Sequence, residues 1–238
     1  MAATRLRLDK FISNATDFSR SQVKHLIRAN RVKVEGIIAH DPGLVIGDDA
    51  WVCVDEHPIS KPVMRYFMLH KPAGVVSVTR DGKHPTALDL LDEPRPEQLQ
   101  IAGRLDIDAT GLLLITDDGQ WNHRVTSPRS QCLKTYRVMV AEPLDGGIIG
   151  KFASGLWLAG EKRRCLPATL ELIDNTEALL TISEGKYHQV KRMFASLGNS
   201  VLRLHRLRVG GIELDSTLEP GEYRALTKTE IASVNTLD

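Results

Sequence analysis

The stretch AGRLDIDATGLLLITDDG, residues 102–119, sets two kinds of sequence side by side. Residues 112–115 (LLLI) form an unbroken apolar run of the length of a buried strand, and Gly103, Arg104, Asp106, Asp108 and Gly111 crowd the segment before it. Such a pattern puts charged side chains on a glycine-containing loop anchored by core, the way many active sites are built. From spacing alone, an Asp in such a loop is more often a turn or cap residue than a catalyst. After the run, Asp117-Asp118-Gly119 reads as a hairpin turn rather than a metal loop.

Outward from this stretch, residues 66–71 (YFMLHK), 135–140 (TYRVMV), 168–173 (ATLELI), 178–183 (ALLTIS) and 201–210 (VLRLHRLRVG) are further β-prone runs punctuated by Gly, Pro and Asp. One helix is expected after Tyr187, with Val190, Met193, Phe194 and Leu197 as its apolar face and Gly198 as its stop. Residues 64–238 are therefore expected to form one α+β domain built on an extended, largely antiparallel mixed sheet flanked by helices. A chain of 238 residues leaves room for a small accessory domain besides that core.

That accessory domain is expected over residues 1–55. Ser19 and Gln22 form a candidate capping box, and Val23, Leu26 and Ile27 recur at helical spacing, which predicts a helix over residues 20–30. Leu8, Phe11 and Ile12 predict a shorter one before it, and residues 32–34, 36–38 and 51–54 read as short strands. Residues 56–63, with two prolines and no periodicity, read as a linker. The whole chain carries a formal charge of +1, but residues 1–40 hold eight Lys and Arg against three Asp and Glu. Lys24, Arg28 and Arg31 would make a basic stripe along the helix, suited to a phosphate backbone.

Other classes lose ground. Cys53, Cys132 and Cys165 are scattered and odd in number, which fits reduced thiols rather than a disulfide framework or zinc site. Phosphate-loop, dinucleotide and zinc-hydrolase patterns are absent, so no cofactor and no metal is expected. No apolar stretch has signal-peptide or membrane-helix length, so a soluble, cytoplasmic protein with no membrane partner is expected.

The segments RLDKFI (7–12) and SRSQVKHLIRANRVKVEG (19–36) resemble the S4-like RNA-binding domain. The loop GRLDIDATGLLLITDDG, with HKPAG (70–74), KTYRV (134–138) and EGKYHQVKRMF (184–194) in order, resembles the RsuA-type pseudouridine synthases, and the similarity runs through essentially the whole chain. The resemblance implies isomerisation of uridine to pseudouridine in ribosomal RNA. It makes Asp106 the catalytic carboxylate, places Tyr136 against the uracil, and makes Lys191 the cation paired with Asp106, with Arg192 in reserve and as an RNA contact. Arg104 would contact phosphate or help displace the target nucleotide, because chemistry on a base in structured RNA requires extrusion. Asp108 keeps a structural reading.

Segments such as YFMLHKP and DDGQWNHRVTSPR resemble the branch of the family that acts on small-subunit RNA. They imply a monomer acting on uridine 516 of 16S ribosomal RNA in partly assembled small subunits. Alternatives are a target in large-subunit RNA, a non-catalytic RNA-binding assembly factor, and a glycosidase using Asp106 and Asp108 as paired carboxylates. The family spelling is departed from at His70, where Asn is frequent, and at Lys186, where Arg is frequent.

Overall fold

In the computed structural model, which describes residues 6–47, 49–60 and 63–234, the chain divides into two units between Met64 and Arg65. In the first, helix α2 (Arg20–Arg28) opens on the expected capping box: Ser19 Oγ accepts from the Gln22 amide and the Ser19 amide donates to Gln22 Oε1. The helix ends earlier than its periodicity suggested, because Asn30 turns left-handed at φ 57° and sends the chain into a strand. Helix α1 (Leu8–Ala15) packs Leu8, Phe11 and Ile12 against Val23, Leu26 and Ile27.

Strand β1 (Leu6–Arg7) pairs with β4 (Val45–Ile46), and a four-stranded sheet runs in the order β3 (Ile37–Ile38), β2 (Val32–Val34), β5 (Val52–Val54), β6 (His57–Ile59). The last of these corrects the expected linker. Asp55 and Glu56, at φ 51° and 65°, form a two-residue turn that folds residues 57–59 back onto β5. Pro58 is tolerated there because the strand lies at the sheet edge, where a missing N–H breaks no ladder bond.

The second unit is organised by a mixed sheet in the order β11 (Thr169–Leu172), β12 (Glu177–Ile182), β10 (Lys134–Val140), β13 (Val201–Val209), β9 (Thr110–Thr116), β7 (Tyr66–Lys71), β15 (Tyr223–Ala225). Strand β14 (Ile212–Glu213) pairs with β13, and β8 (Gln100–Ala102) with β9. The β9–β13 pair is parallel, whereas the other ladders of this sheet are antiparallel.

Both faces are covered, which explains the unbroken LLLI run. Leu113 and Ile115 point into a core shared with Phe152 of α4 (Gly147–Ala153) and with Met193 and Phe194 of α5 (Gln189–Ala195). Leu112 and Leu114 point into a second core with Trp121 and Val125 of α3 (Gly119–Thr126), against which Ile231 of α6 (Lys228–Ser233) packs. The expected hairpin turn at Asp117-Asp118-Gly119 is replaced by the start of α3. Asp118 is its N-cap, accepting from the amides of Gln120 and Trp121, while Asp117 holds Arg65. At its C-terminal end β9 is already flanked by β7 (Tyr66 opposite Thr116) and β8 (Gln100 opposite Thr116), so the chain leaves the sheet instead of folding back beside it.

Candidate active site

The site begins at the β9–β13 pairing. A Cβ on Gly111 would lie 2.3 Å from the Arg206 carbonyl oxygen, and its φ of +101° is one that L side chains rarely adopt, so the strand approaches this closely only with glycine. Residues 103–110 then fold into a loop that is fixed largely by hydrogen bonds to its own backbone. The Leu105 amide donates to Ser77 Oγ at 3.1 Å, the Gly74 amide to the Ile107 carbonyl at 2.8 Å, and the Ala109 amide to the Asp106 carbonyl at 3.1 Å.

Two buried cations complete the fixation. Lys71 Nζ donates to the carbonyls of Ala109 (2.7 Å), Pro72 (2.9 Å) and Ile107 (3.3 Å). Burial pushes the Lys71 ammonium down to about 8, against the attraction of Asp108 and Asp106. Arg206, 1% exposed, donates from Nε to the Leu112 carbonyl (2.7 Å) and from Nη2 to the Gly103 carbonyl (2.9 Å).

Held this way, the loop presents the Asp106 carboxylate, 24% exposed, to a cleft of about 760 Å³. One carboxylate oxygen lies 3.4 Å from His188 Nε2 and the other 3.4 Å from Lys191 Nζ. Lys191 is closer still to Asp108, at 2.6 and 2.7 Å, so a single ammonium stands between two carboxylates. The Lys191 bond lowers the Asp108 carboxyl below its ordinary value. Burial works against the Lys191 charge, but the bond to Asp108 and the attraction of both carboxylates outweigh it and hold Lys191 above its ordinary value. Helix α5 carries Lys191 and begins at Gln189; His188 precedes it in a left-handed conformation, φ 47°.

Tyr136 enters from β10, opposite Arg206 and next to a register shift between Thr135 and Tyr136. Bulges of this kind re-aim side chains beside functional sites. Its ring is 6% exposed and lines the same cleft, with the Arg206 guanidinium carbon 6.0 Å from the ring centroid.

The structure thus brings Asp106, Tyr136, Lys191 and Arg104 to one cleft. Arg192 is committed elsewhere: it donates to Glu161 (3.0 Å) and to the carbonyls of Tyr187 (3.0 Å) and Ala159 (2.7 Å). In the first unit Lys24 and Arg28 are exposed on α2, while Arg31 lies past the helix end and donates to Asp55 at 2.6 Å. Sequence reasoning missed Lys71, Ser77, His188 and Arg206. Lys71 and His188 sit inside the quoted motifs, whereas Arg206 is one of three arginines in the run 201–210 and nothing in that run sets it apart. Among the described residues no three His, Cys, Asp or Glu side chains converge as a metal site, and no helix is long and apolar enough to cross a membrane.

Comparison with known proteins matches residues 65–196 to the RNA pseudouridylate synthase family and residues 6–62 to the S4 domain. A protein of Vibrio cholerae named ribosomal small subunit pseudouridine synthase A is 51% identical over 96% of this chain and 99% of its own length. Its namesake in Escherichia coli K12 is 52% identical over 96% and 100%. A solved crystal structure of a pseudouridylate synthase superposes with a TM-score of 0.71 at 46% identity, covering 96% of this chain and 99% of that one.

Proposed function

The chain belongs to the RNA pseudouridylate synthase family, and from that premise we propose that it isomerises uridine 516 of 16S ribosomal RNA in partly assembled small subunits, acting as a monomer with Asp106 as its catalytic carboxylate. The observation that carries the catalytic assignment is the single cleft in which Asp106, Lys191 and Tyr136 converge.

The reaction breaks the bond from uracil N1 to ribose C1′, turns the base, and joins C5 to C1′. N1 gains a proton and C5 gives one up, so no atom is added or lost. The ribose must be stabilised while electron-poor and the base kept in place. The Asp106 carboxylate, 3.4 Å from the Lys191 ammonium, serves the first need, either by bonding to C1′ or by first taking a ribose proton. The Tyr136 ring supplies a face for the uracil, and its hydroxyl stands ready for the proton at C5. Arg104, exposed at the cleft, meets the displaced strand.

The small-subunit target rests on the names of the relatives. Incubating the enzyme with small-subunit and large-subunit RNA, each with and without early-binding ribosomal proteins, and mapping pseudouridine tests it. One modified site in the small-subunit RNA, made faster when those proteins are bound, is expected. Modification confined to large-subunit RNA moves the target and leaves the chemistry unchanged.

Two variants probe how the work is divided. Asp108→Asn removes the carboxylate that Lys191 holds most closely and leaves that cation to Asp106, so turnover should stay within about tenfold of the parent. A loss as deep as that of Asp106→Asn, in a protein with the parental thermal transition, would bring back a paired-carboxylate mechanism. Lys24→Glu with Arg28→Glu should weaken RNA binding and reduce the slope of log affinity against log salt by about one for each cation lost. An unchanged slope would show that α2 lies away from the RNA.

A further inference from the structure

Tyr187 is among the most exposed large side chains of the second unit, at 74%, yet its surroundings are not those of an incidental surface aromatic. Its ring stacks on that of His188, with centroids 3.8 Å apart and planes 20° from parallel. Both rings line the cleft, and His188 reaches Asp106. We propose that Tyr187, backed by His188, is the platform on which an RNA base flanking the target uridine stacks, and that Lys162, Arg163 and Arg164 receive the adjoining phosphates. The proposal rests on the reading of the cleft as the seat of a ribosomal uridine, and adds how the strand on either side of that uridine is held.

Three observations support it. First, the stack covers one face of the Tyr187 ring with an imidazole and leaves the side chain largely open to solvent, as a sequence-tolerant base platform requires. Secondly, the backbone under the pair is fixed. Arg192 donates to the Tyr187 carbonyl, and Gln189, 4% exposed, accepts from the Lys186 amide and donates to Glu184. His188 is held in the left-handed region, where a non-glycine residue stores strain that persists at functional sites when the surroundings enforce it.

Thirdly, the same clasp ties the turn to a basic loop. Glu161 pairs with both Lys186 (2.9 Å) and Arg192 (3.0 Å), and Arg192 also holds the Ala159 carbonyl. The three residues that follow Glu161 are exposed cations, with Arg164 also donating to the Gly155 carbonyl (3.4 Å), so the loop that Glu161 ties to the Tyr187 turn carries positive charge, which together with an aromatic platform is the combination that grips single-stranded RNA.

The test uses the full-length protein and 16S ribosomal RNA in single-turnover assays over a range of enzyme concentrations, for the parent and for Tyr187→Ala, Tyr187→Phe and Tyr187→Leu. Tyr187→Ala should raise the half-saturating concentration roughly 5- to 150-fold, the range that follows from losing one aromatic stack on a base, with a much smaller change in the saturated rate. Tyr187→Phe should restore it and Tyr187→Leu should not, because leucine covers His188 but offers no π face. Equal behaviour of the Phe and Leu variants, or a loss confined to the saturated rate, would overturn the platform and leave Tyr187 as a cover over the contact of His188 with Asp106. If the parent modifies only large-subunit RNA, the target reading fails, and the same comparison on that RNA still decides the platform.

Discussion

Asp106→Asn is expected to lower the saturated rate of pseudouridine formation on the order of 10⁴-fold or more while leaving the thermal transition close to that of the parent. The two outcomes have separate causes. Asparagine keeps the side-chain volume, and the bond from the Ala109 amide goes to the Asp106 backbone carbonyl, which the substitution does not touch. The side chain's own charged contacts, both at 3.4 Å, are long, and Lys191 retains its shorter bonds to Asp108. Little of the fold therefore depends on the Asp106 charge. The reaction depends on it directly, since a neutral amide neither bonds to C1′ nor takes a ribose proton at neutral pH. Single-turnover rates, calorimetry and RNA affinity of parent and variant separate these effects. A near-parental rate would remove Asp106 from the mechanism.

The contrast between what the sequence made legible and what it did not follows the range of the interactions. Helix α2 could be read because its signals are local: Ser19 and Gln22 are three residues apart, and Val23, Leu26 and Ile27 fall on one face. The central strand could be read because LLLI is buried on both sides. Helix α3 was missed because GQWNHRVT offers only Trp121 and Val125 as apolar signals, and β6 because a proline in a short segment argues against a strand. In the site, Asp106, Tyr136 and Lys191 came from motif resemblance, and the spacing of Asp106 alone favoured a turn. Arg206 left no such trace. Its partners are carbonyl oxygens 94 and 103 residues away, and any residue type supplies a carbonyl, so no side-chain pattern records the contact.

Lys71 belongs to the same class, and it supplies the second large effect: Lys71→Met should cut the saturated rate about 100-fold or more with a far smaller change in stability at neutral pH. Methionine preserves the length and packing of a side chain that is fully buried, but it deletes the donors to Pro72, Ile107 and Ala109. In the stability balance two terms oppose each other, because carbonyls lose a partner while the cost of burying a charge disappears. Catalysis enjoys no such cancellation. The carbonyls of Ile107 and Ala109 lie just beyond Asp106, and a displacement of about 1 Å in a reacting group can cost about 100-fold in rate. The pH dependence has a definite sign. Burial holds native Lys71 at about 8, below its ordinary 10.5, so between those values the unfolded chain carries one more proton and this residue's contribution to stability rises with pH. Denaturant unfolding at pH 7, 8, 9 and 10 should therefore show the parent gaining on Lys71→Met across that window. A difference that stays flat, or a variant that turns over at the parental rate, would mean that Lys71 neither carries a buried charge nor positions the loop that bears Asp106.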